Sequence, residues 1–329
     1  MADVGREAGV SAQTVSRALR DPLSVTPETL RLIQEAVRKT KYVQNFAASH
    51  LASNRSMMVA AIIPTISASV FAETIQGLTD ALSPQGYQIF LGGSDYRLDR
   101  EEALVRGFLG RRPDGFFVVG TRHTRPATAL LRQAGIPVVE GWELSRQPID
   151  MLVGFSNRAA IARIVAHLVE RGRRRLVFAG VLRPGDPRAA ERRDGFLEAV
   201  AAHFPGEKPR LAIVDGSPLA MHTGVEVLDL ARREFPDADA LVFSSDLIAS
   251  GALLACRRLG IRVPDDFAVT GFGNYEIAAE LSPSLTTIAV PTRRIGSEAG
   301  RLLLAAMRGE KVEPTSVDVG FELVVRESG

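Results

Sequence analysis

Gln13 and Arg17 stand on the outer face of a short stretch, Val10-Ser11-Ala12-Gln13-Thr14-Val15-Ser16-Arg17-Ala18-Leu19. A glutamine can bond adenine through two atoms at once, and an arginine can do the same to guanine. The hydroxyls of Ser11, Thr14 and Ser16 suit phosphate oxygens, which fix position on a duplex without reading it. Ala12, next to Gln13, is expected to share in base preference. The chemistry these residues offer is DNA readout in the major groove.

The elements that must hold them can be read on either side. Asp3 to Ala8 is expected to be a short helix with Val4 and Ala8 on one face. Gly9 stops it, because glycine takes a left-handed backbone without steric cost. Ser11 caps a second helix whose apolar stripe is Val15, Ala18 and Leu19. Two short helices joined by such a turn form a helix-turn-helix, although helix-glycine-helix pairs also occur widely in α/β proteins. Thr26-Pro27 then opens a third helix carrying Leu30, Ile33, Val37 and Tyr42 towards the first two. Thr26 and Thr29 at its start are further candidates for DNA contact. A last short helical stretch, Asn45 to Ala52, places small residues around one leucine.

Charge divides in the same sense. The net charge is +2, but residues 1–56 hold eight Lys or Arg against five Asp or Glu. The basic excess therefore lies where phosphates would be met. A chain of 329 residues with 46% apolar and 24% charged residues suits a soluble head plus two lobes. No apolar run is long enough to span a membrane, and the amino terminus lacks a secretory h-region. Cys256 is the single cysteine, so no internal disulfide forms and the cytoplasm is the expected compartment.

From Met57 onwards short apolar runs alternate with amphipathic helices, as in Met57–Ile63, Gly115–Val119, Leu176–Ala179 and Phe267–Thr270. This βαβα alternation, made twice, predicts two lobes of doubly wound parallel sheet. The expected fold class is thus α/β, with an all-α head. Ligands of such sheets bind beyond the carboxyl ends of the strands. The residues there include Ser67 and Phe71 after strand one, Arg122 and His123 after strand three, and Trp142 after strand four. Arg188 and Arg192, then Asp246, then Asn274 follow strands of the second lobe. Trp142, the single tryptophan, reads either as a plate over a sugar ring or as a lid packed on its domain. Arg192 reads as an effector grip or as a surface ion pair with Glu191 or Asp194. Phe71 fits a cleft wall or a packed core. Arg122, His123, Arg188 and Arg192 together would make the cleft a host for an anion, unless they point into water.

The run "DVGREAGVSAQTVSRALRDPLSVTPETLRLIQEAVRKTKYVQNFAASHLA" resembles the DNA-binding head and hinge of the lac repressor family. Segments such as "GFFVVG", "RRDGF", "VFSSDLIASGAL" and "RVPDDFAVTGFGN" resemble that family's core, which has the fold of periplasmic sugar-binding proteins. The resemblance implies a homodimer on a pseudo-palindromic operator, its paired hinge helices in the minor groove. Leu51 falls on the family's leucine wedge, Ala48 on the small residue beside it, and Asn45 in the same hinge. It implies domains at 1–44 (head), 45–56 (hinge and linker) and 57–329 (core). The first lobe would be 57–156 plus 287–313, and the second 157–286 plus 314–329. In the family Arg192 matches an effector-gripping arginine and Phe71 an aromatic of the effector wall.

Some positions depart from the family. Relatives have residues before the aspartate, including a threonine that caps helix one, so a start at Met1-Ala2-Asp3 is read as truncated or misassigned. Gln44 stands where a proline is usual. Gly273 stands where many sugar- and purine-binding relatives carry an aspartate, which again favours an anionic ligand. The chain lacks the extra carboxy-terminal helix of tetrameric relatives, so a dimer is expected. The stretches "VFAETIQGL", "GIPVVE", "PIDMLVGFSN" and "PTRRIGSEAGRLLLAAMRGE" further resemble gluconate-operon repressors, which implies a sugar-acid effector. A neutral-sugar or sugar-phosphate effector is the alternative.

Other classes fit less of the chain. An enzyme would need a G-x-S-x-G elbow, a phosphate-cradling glycine loop or metal spacing among the five histidines, and none is present. No catalytic residue, metal or cofactor is therefore expected. A periplasmic receptor would need a signal peptide and no head. A nucleoid-type protein would not need 270 residues of ligand fold.

Overall fold

The computed structural model describes residues 1–42, 55–66 and 69–329. The expected hinge residues Asn45, Ala48 and Leu51, and the cleft candidate Ser67, lie outside the described residues. Two compact units result, Met1–Ser56 and Met57–Gly329.

In the first unit, α1 (Ala2–Ala8), α2 (Ala12–Arg20) and α3 (Pro27–Thr40) enclose a small core. Val4, Ala8, Val15, Ala18, Ile33 and Ala36 are buried there, with Leu19, Leu30, Val37 and Tyr42 packed around them. Gly9 takes φ 66° between α1 and α2. The Ser11 hydroxyl accepts the Thr14 N–H at 3.1 Å, and Thr26 accepts the Thr29 N–H at 3.3 Å. Caps of this kind satisfy N–H groups that the first turn of a helix leaves without partners.

The second unit begins with β1 (Met58–Ile63), α4 (Ser69–Leu82), β2 (Gln88–Gly93), α5 (Leu98–Leu109) and β3 (Gly115–Val119). It continues through α6 (Arg125–Gln133), β4 (Val138–Gly141), β5 (Met151–Gly154) and α7 (Asn157–Glu170). Then come β6 (Leu176–Leu182), α8 (Pro187–His203), β7 (Leu211–Asp215), α9 (Met221–Glu234), β8 (Ala240–Phe243) and α10 (Asp246–Leu259). The last elements are β9 (Ala268–Gly273), α11 (Ile277–Glu280), β10 (Thr286–Ala289), α12 (Thr292–Met307), β11 (Ser316–Asp318) and β12 (Glu322–Val324).

They build two six-stranded sheets, ordered β11-β5-β4-β3-β1-β2 and β12-β10-β9-β8-β6-β7. All pairings are parallel except that β12 runs antiparallel to β10. Every residue of β3, β4, β5 and β8 is buried, as helices on both faces require. The expected α/β class with an α-helical head therefore describes the molecule.

The chain passes from the first sheet to the second between β5 and α7. It returns after β10, which ends at Ala289 and pairs with β9 in the second lobe. The third crossing follows β11, which ends at Asp318 and pairs with β5, so residues 316–318 belong to the first lobe and not to the second as expected. Ser316–Asp318 has neither an apolar run nor a full period, so its place comes from tertiary pairing alone. Among the described residues no helix is long and apolar enough to cross a membrane.

Candidate functional site

Two surfaces carry the polar groups singled out in the sequence. On the head, Ser11, Gln13, Thr14, Ser16 and Arg17 line one shallow groove with Asp21 and Ser24. Ala12 is exposed beside Gln13 at the start of α2. The stripe Val15-Ala18 faces the core, so helical geometry leaves the groove-lining side chains outside. Thr26 and Thr29 share a hydroxyl–hydroxyl bond of 2.9 Å at the start of α3, the same arrangement that joins Ser11 and Thr14.

In the second unit a small cavity lies between the lobes. Phe71, Tyr96 and Trp142 come to it from the first lobe. Asp186, Arg188, Arg192, Ser244, Ser245 and Tyr275 come from the second. Its volume is about 50 Å³, far below the several hundred Å³ of ordinary ligand pockets. Outside it lies an open groove of about 620 Å³, lined by Arg122, Arg183, Gly185, Asp186 and Arg193 among others.

Trp142 proves to be both wall and packing. Its ring lies 4.8 Å from Phe71, and its Nε1 donates to Thr74 Oγ1 at 3.2 Å. Burial of both rings and the bond from the indole fix this aromatic wall in place.

The two arginines of the cavity differ in their partners. Arg188 is buried, with Glu143 Oε1 at 3.5 Å across the cleft and Asp186 Oδ1 at 3.4 Å. Burial pulls its pKa down, but Asp186 and Glu143 outweigh that, and the net direction is up. Arg192 has no carboxylate within ion-pair reach among the described residues. It donates to Asn157 Oδ1 at 3.0 Å and lies 4.6 Å from the centroid of the Phe272 ring. Burial holds its pKa below the ordinary value, although a guanidinium remains charged. Its Nε is buried without a hydrogen-bond partner, and so is Asp186 Oδ1. Asp186 Oδ1 still has the Arg188 guanidinium beside it, so Arg192 is the cation of the wall left without a carboxylate among the described residues. The alternative reading of Arg192, a surface ion pair with Glu191 or Asp194, does not form: Glu191 is taken by Arg122 at 2.8 Å and Arg158 at 2.5 Å, and Asp194 by Arg158 at 3.2 Å.

Four expected cleft residues lie elsewhere. Arg122 is on the outer groove, tied to Glu191 of the opposite lobe. His123 is buried inside the first lobe, its Nδ1 2.6 Å from Glu101 and its Nε2 3.4 Å from Glu140. Burial lowers its pKa, but the two carboxylates raise it further, to about 9. Asp246 turns inward to accept from Thr287 Oγ1 at 2.6 Å and from the Tyr275 N–H at 2.8 Å. Burial pushes its carboxyl up to about 6. Asn274 accepts from Arg326 at 2.8 Å and does not line the cavity. In each case a closer protein partner captures a polar side chain that the sequence places only at a strand end.

Tyr96 and Tyr275 were not among the expected residues. Tyr96 follows β2, whose end carries Ser94-Asp95-Tyr96; the same strand-end rule that selected Trp142 would have found it. Tyr275 is the neighbour of Asn274, and Asp246 fixes its backbone.

Known proteins share both units. Residues 1–45 match bacterial regulatory proteins of the lacI family, and residues 165–329 match a periplasmic binding protein-like domain. The transcriptional regulator GntR of Pseudomonas aeruginosa is 36% identical over 99% of this chain and 94% of its own length. The GntR regulator of Escherichia coli is 32% identical, over 98% of this chain and 96% of its own length. A lacI-family regulator from Silicibacter pomeroyi superposes with a TM-score of 0.91 at 33% identity, covering 99% of this chain and 98% of that one.

Proposed function

The chain belongs to the lacI family of DNA-binding transcriptional regulators, and within it we propose a homodimeric repressor controlled by a small polyhydroxylated carboxylate such as gluconate. It is a regulator and not an enzyme, as its relatives are. One observation carries the choice of ligand: Arg192 Nε is buried in the cavity wall without a hydrogen-bond partner, on a cation with no carboxylate in ion-pair reach among the described residues. A carboxylate would answer it, and a sugar acid brings one together with hydroxyls for the other polar groups of the wall. A neutral sugar would leave the buried Arg192 charge without a counter-ion, which is costly. The likeness to GntR regulators and to gluconate-operon repressors supports the same reading.

The proposed mechanism is a bistable dimer. Ligand between the lobes changes their angle, shifts the first lobes of the two subunits, and thereby orders or melts the hinge at 45–56. A helix of the length expected for this hinge, about eight residues, would not persist alone in water, so on this proposal its order would depend on its twin and on DNA. Leu51 is the proposed wedge, with Asn45 and Ala48 beside it.

Calorimetric titration of the full chain with gluconate and glucose tests the ligand. Gluconate is expected to bind at least tenfold more tightly, and equal affinities would remove the basis of the proposal. The head has its own test. Gln13→Ala is expected to relax base preference at one position of each half-site by about 1–3 kcal/mol. Thr14→Ala should instead weaken binding evenly across sequences. An unaltered consensus from a binding-site selection with Gln13→Ala would remove that residue from readout.

A further inference from the structure

Tyr96 occupies a backbone conformation that suits glycine better than tyrosine. Its φ is 60°, and that of Asp95 before it is 56°. Side chains seldom adopt this left-handed region, and such strain persists where the surroundings hold it. The Tyr96 carbonyl oxygen lies only 1.5 Å from where a Cβ on Gly185 would stand. A first-lobe loop and a second-lobe loop therefore meet backbone to backbone, at a spot where only glycine fits. The Tyr96 ring is held as well, with the Arg183 guanidinium 5.3 Å and that of Arg188 6.0 Å from its centroid. Burial and Asp186 push the phenol up to about 12, so it stays neutral between these cations.

Position gives this fixed ring its effect. Tyr96 lines the 50 Å³ inner cavity, Gly185 lines the 620 Å³ outer groove, and Asp186 borders both. The Tyr96 ring, beside Arg183 of the outer groove and Arg188 of the inner cavity, is thus the partition between the two spaces, and the backbone contact with Gly185 anchors it. We propose that Tyr96 is a specificity-determining residue, the outer wall that limits ligand length and excludes a sugar acid extended at its far end. The ligand class rests on the sugar-acid reading above; the partition itself does not. Without the ring, inner cavity and outer groove become one elongated site, wide enough for a second sugar lying towards Arg183 and Arg193.

The test uses the full chain with Tyr96→Gly, a substitution the backbone accommodates more readily than the tyrosine. Tyr96→Asn, also at ease at this φ, serves if the glycine variant does not fold, and Tyr96→Phe keeps the ring as a control. The first arm needs no ligand. Ser244 lines the inner cavity and is 2% exposed, so Ser244→Cys reports entry of a bulky thiol reagent, with buried Cys256 as background. Labelling is expected to be at least tenfold faster with Tyr96→Gly and unchanged with Tyr96→Phe. Equal rates with and without the ring would overturn the partition.

The second arm titrates gluconate and melibionate, a gluconate bearing galactose on carbon 6. The parent chain is expected to bind gluconate alone, and Tyr96→Gly to gain at least tenfold in melibionate affinity. A glycine variant that labels fast and binds gluconate but still rejects melibionate overturns the length limit. Fast labelling with no gluconate binding in either background supports the wall and rejects the sugar acid.

Discussion

Arg192→Ala is expected to cost about 2–5 kcal/mol of gluconate binding, the loss usual when one partner of a buried charged pair is truncated. That is a fall of roughly thirtyfold to several thousandfold in affinity. Operator affinity without ligand should stay within about twofold, because the hydrogen-bond and ring partners of Arg192, Asn157 and Phe272, lie in the second unit. The variant should also lose no more than about 1 kcal/mol of stability, since it gives up a hydrogen bond and a cation-over-ring contact but is relieved of a buried cation without a carboxylate. Arg188→Ala is a different case, since it strips Glu143 and Asp186 of their shared cation and should destabilise the contact between the lobes. Calorimetry, an operator shift assay and a thermal melt on the same preparation separate these effects. Normal gluconate binding by Arg192→Ala would sink the account of the cleft.

The second large effect belongs to His123, which plays no part in the cavity. Its side chain is 2% exposed between Glu101 and Glu140, and its pKa is raised from 6.5 to about 9. A group whose folded pKa lies above its unfolded value stabilises fully below the unfolded pKa and loses that contribution as pH rises through the folded one. Stability of the core should therefore be greatest below about pH 6.5 in this respect and decline towards pH 9, by an amount on the order of 3 kcal/mol. His123→Gln keeps a hydrogen-bonding side chain but cannot carry the charge. It is expected to lower stability by a similar amount at pH 6 and to flatten the dependence. Denaturant melts at pH 6, 7.5 and 9 for both proteins measure this, and parallel pH profiles would show that the imidazolium contributes nothing.

The head was legible in the sequence because its determinants are local. A left-handed glycine, two hydroxyl caps and a 3.6-residue stripe each lie within a few residues of what they control. The alternation of strands and helices was legible for the same reason, as was the presence of two lobes. The lobe of β11 was not, because this short strand joins the first sheet through β5, which is distant in sequence. In the cleft, the strand-end rule found Phe71, Trp142, Arg188 and Arg192, whose side chains reach the cavity wall. It equally selected His123, Asp246 and Asn274, because position on a strand does not say which neighbour captures a polar group. Tyr96 depends on Gly185, and no local pattern links the two.

The late crossings carry a consequence for synthesis on the ribosome. In the first lobe, Thr74 of α4 donates to the carbonyl of Thr292 in α12, a separation of 218 residues. The edge strand of that lobe, Ser316–Asp318, emerges later still, and Glu322–Val324 then completes the second sheet. Neither lobe can finish until almost the whole core has left the exit tunnel. Closing loops of this length is slow, and the exposed edge of β5 stays open to wrong partners meanwhile. The head, whose core is built within residues 1–42, can fold as soon as it emerges. A nascent chain of this protein thus presents a folded helix-turn-helix head well before its core is complete.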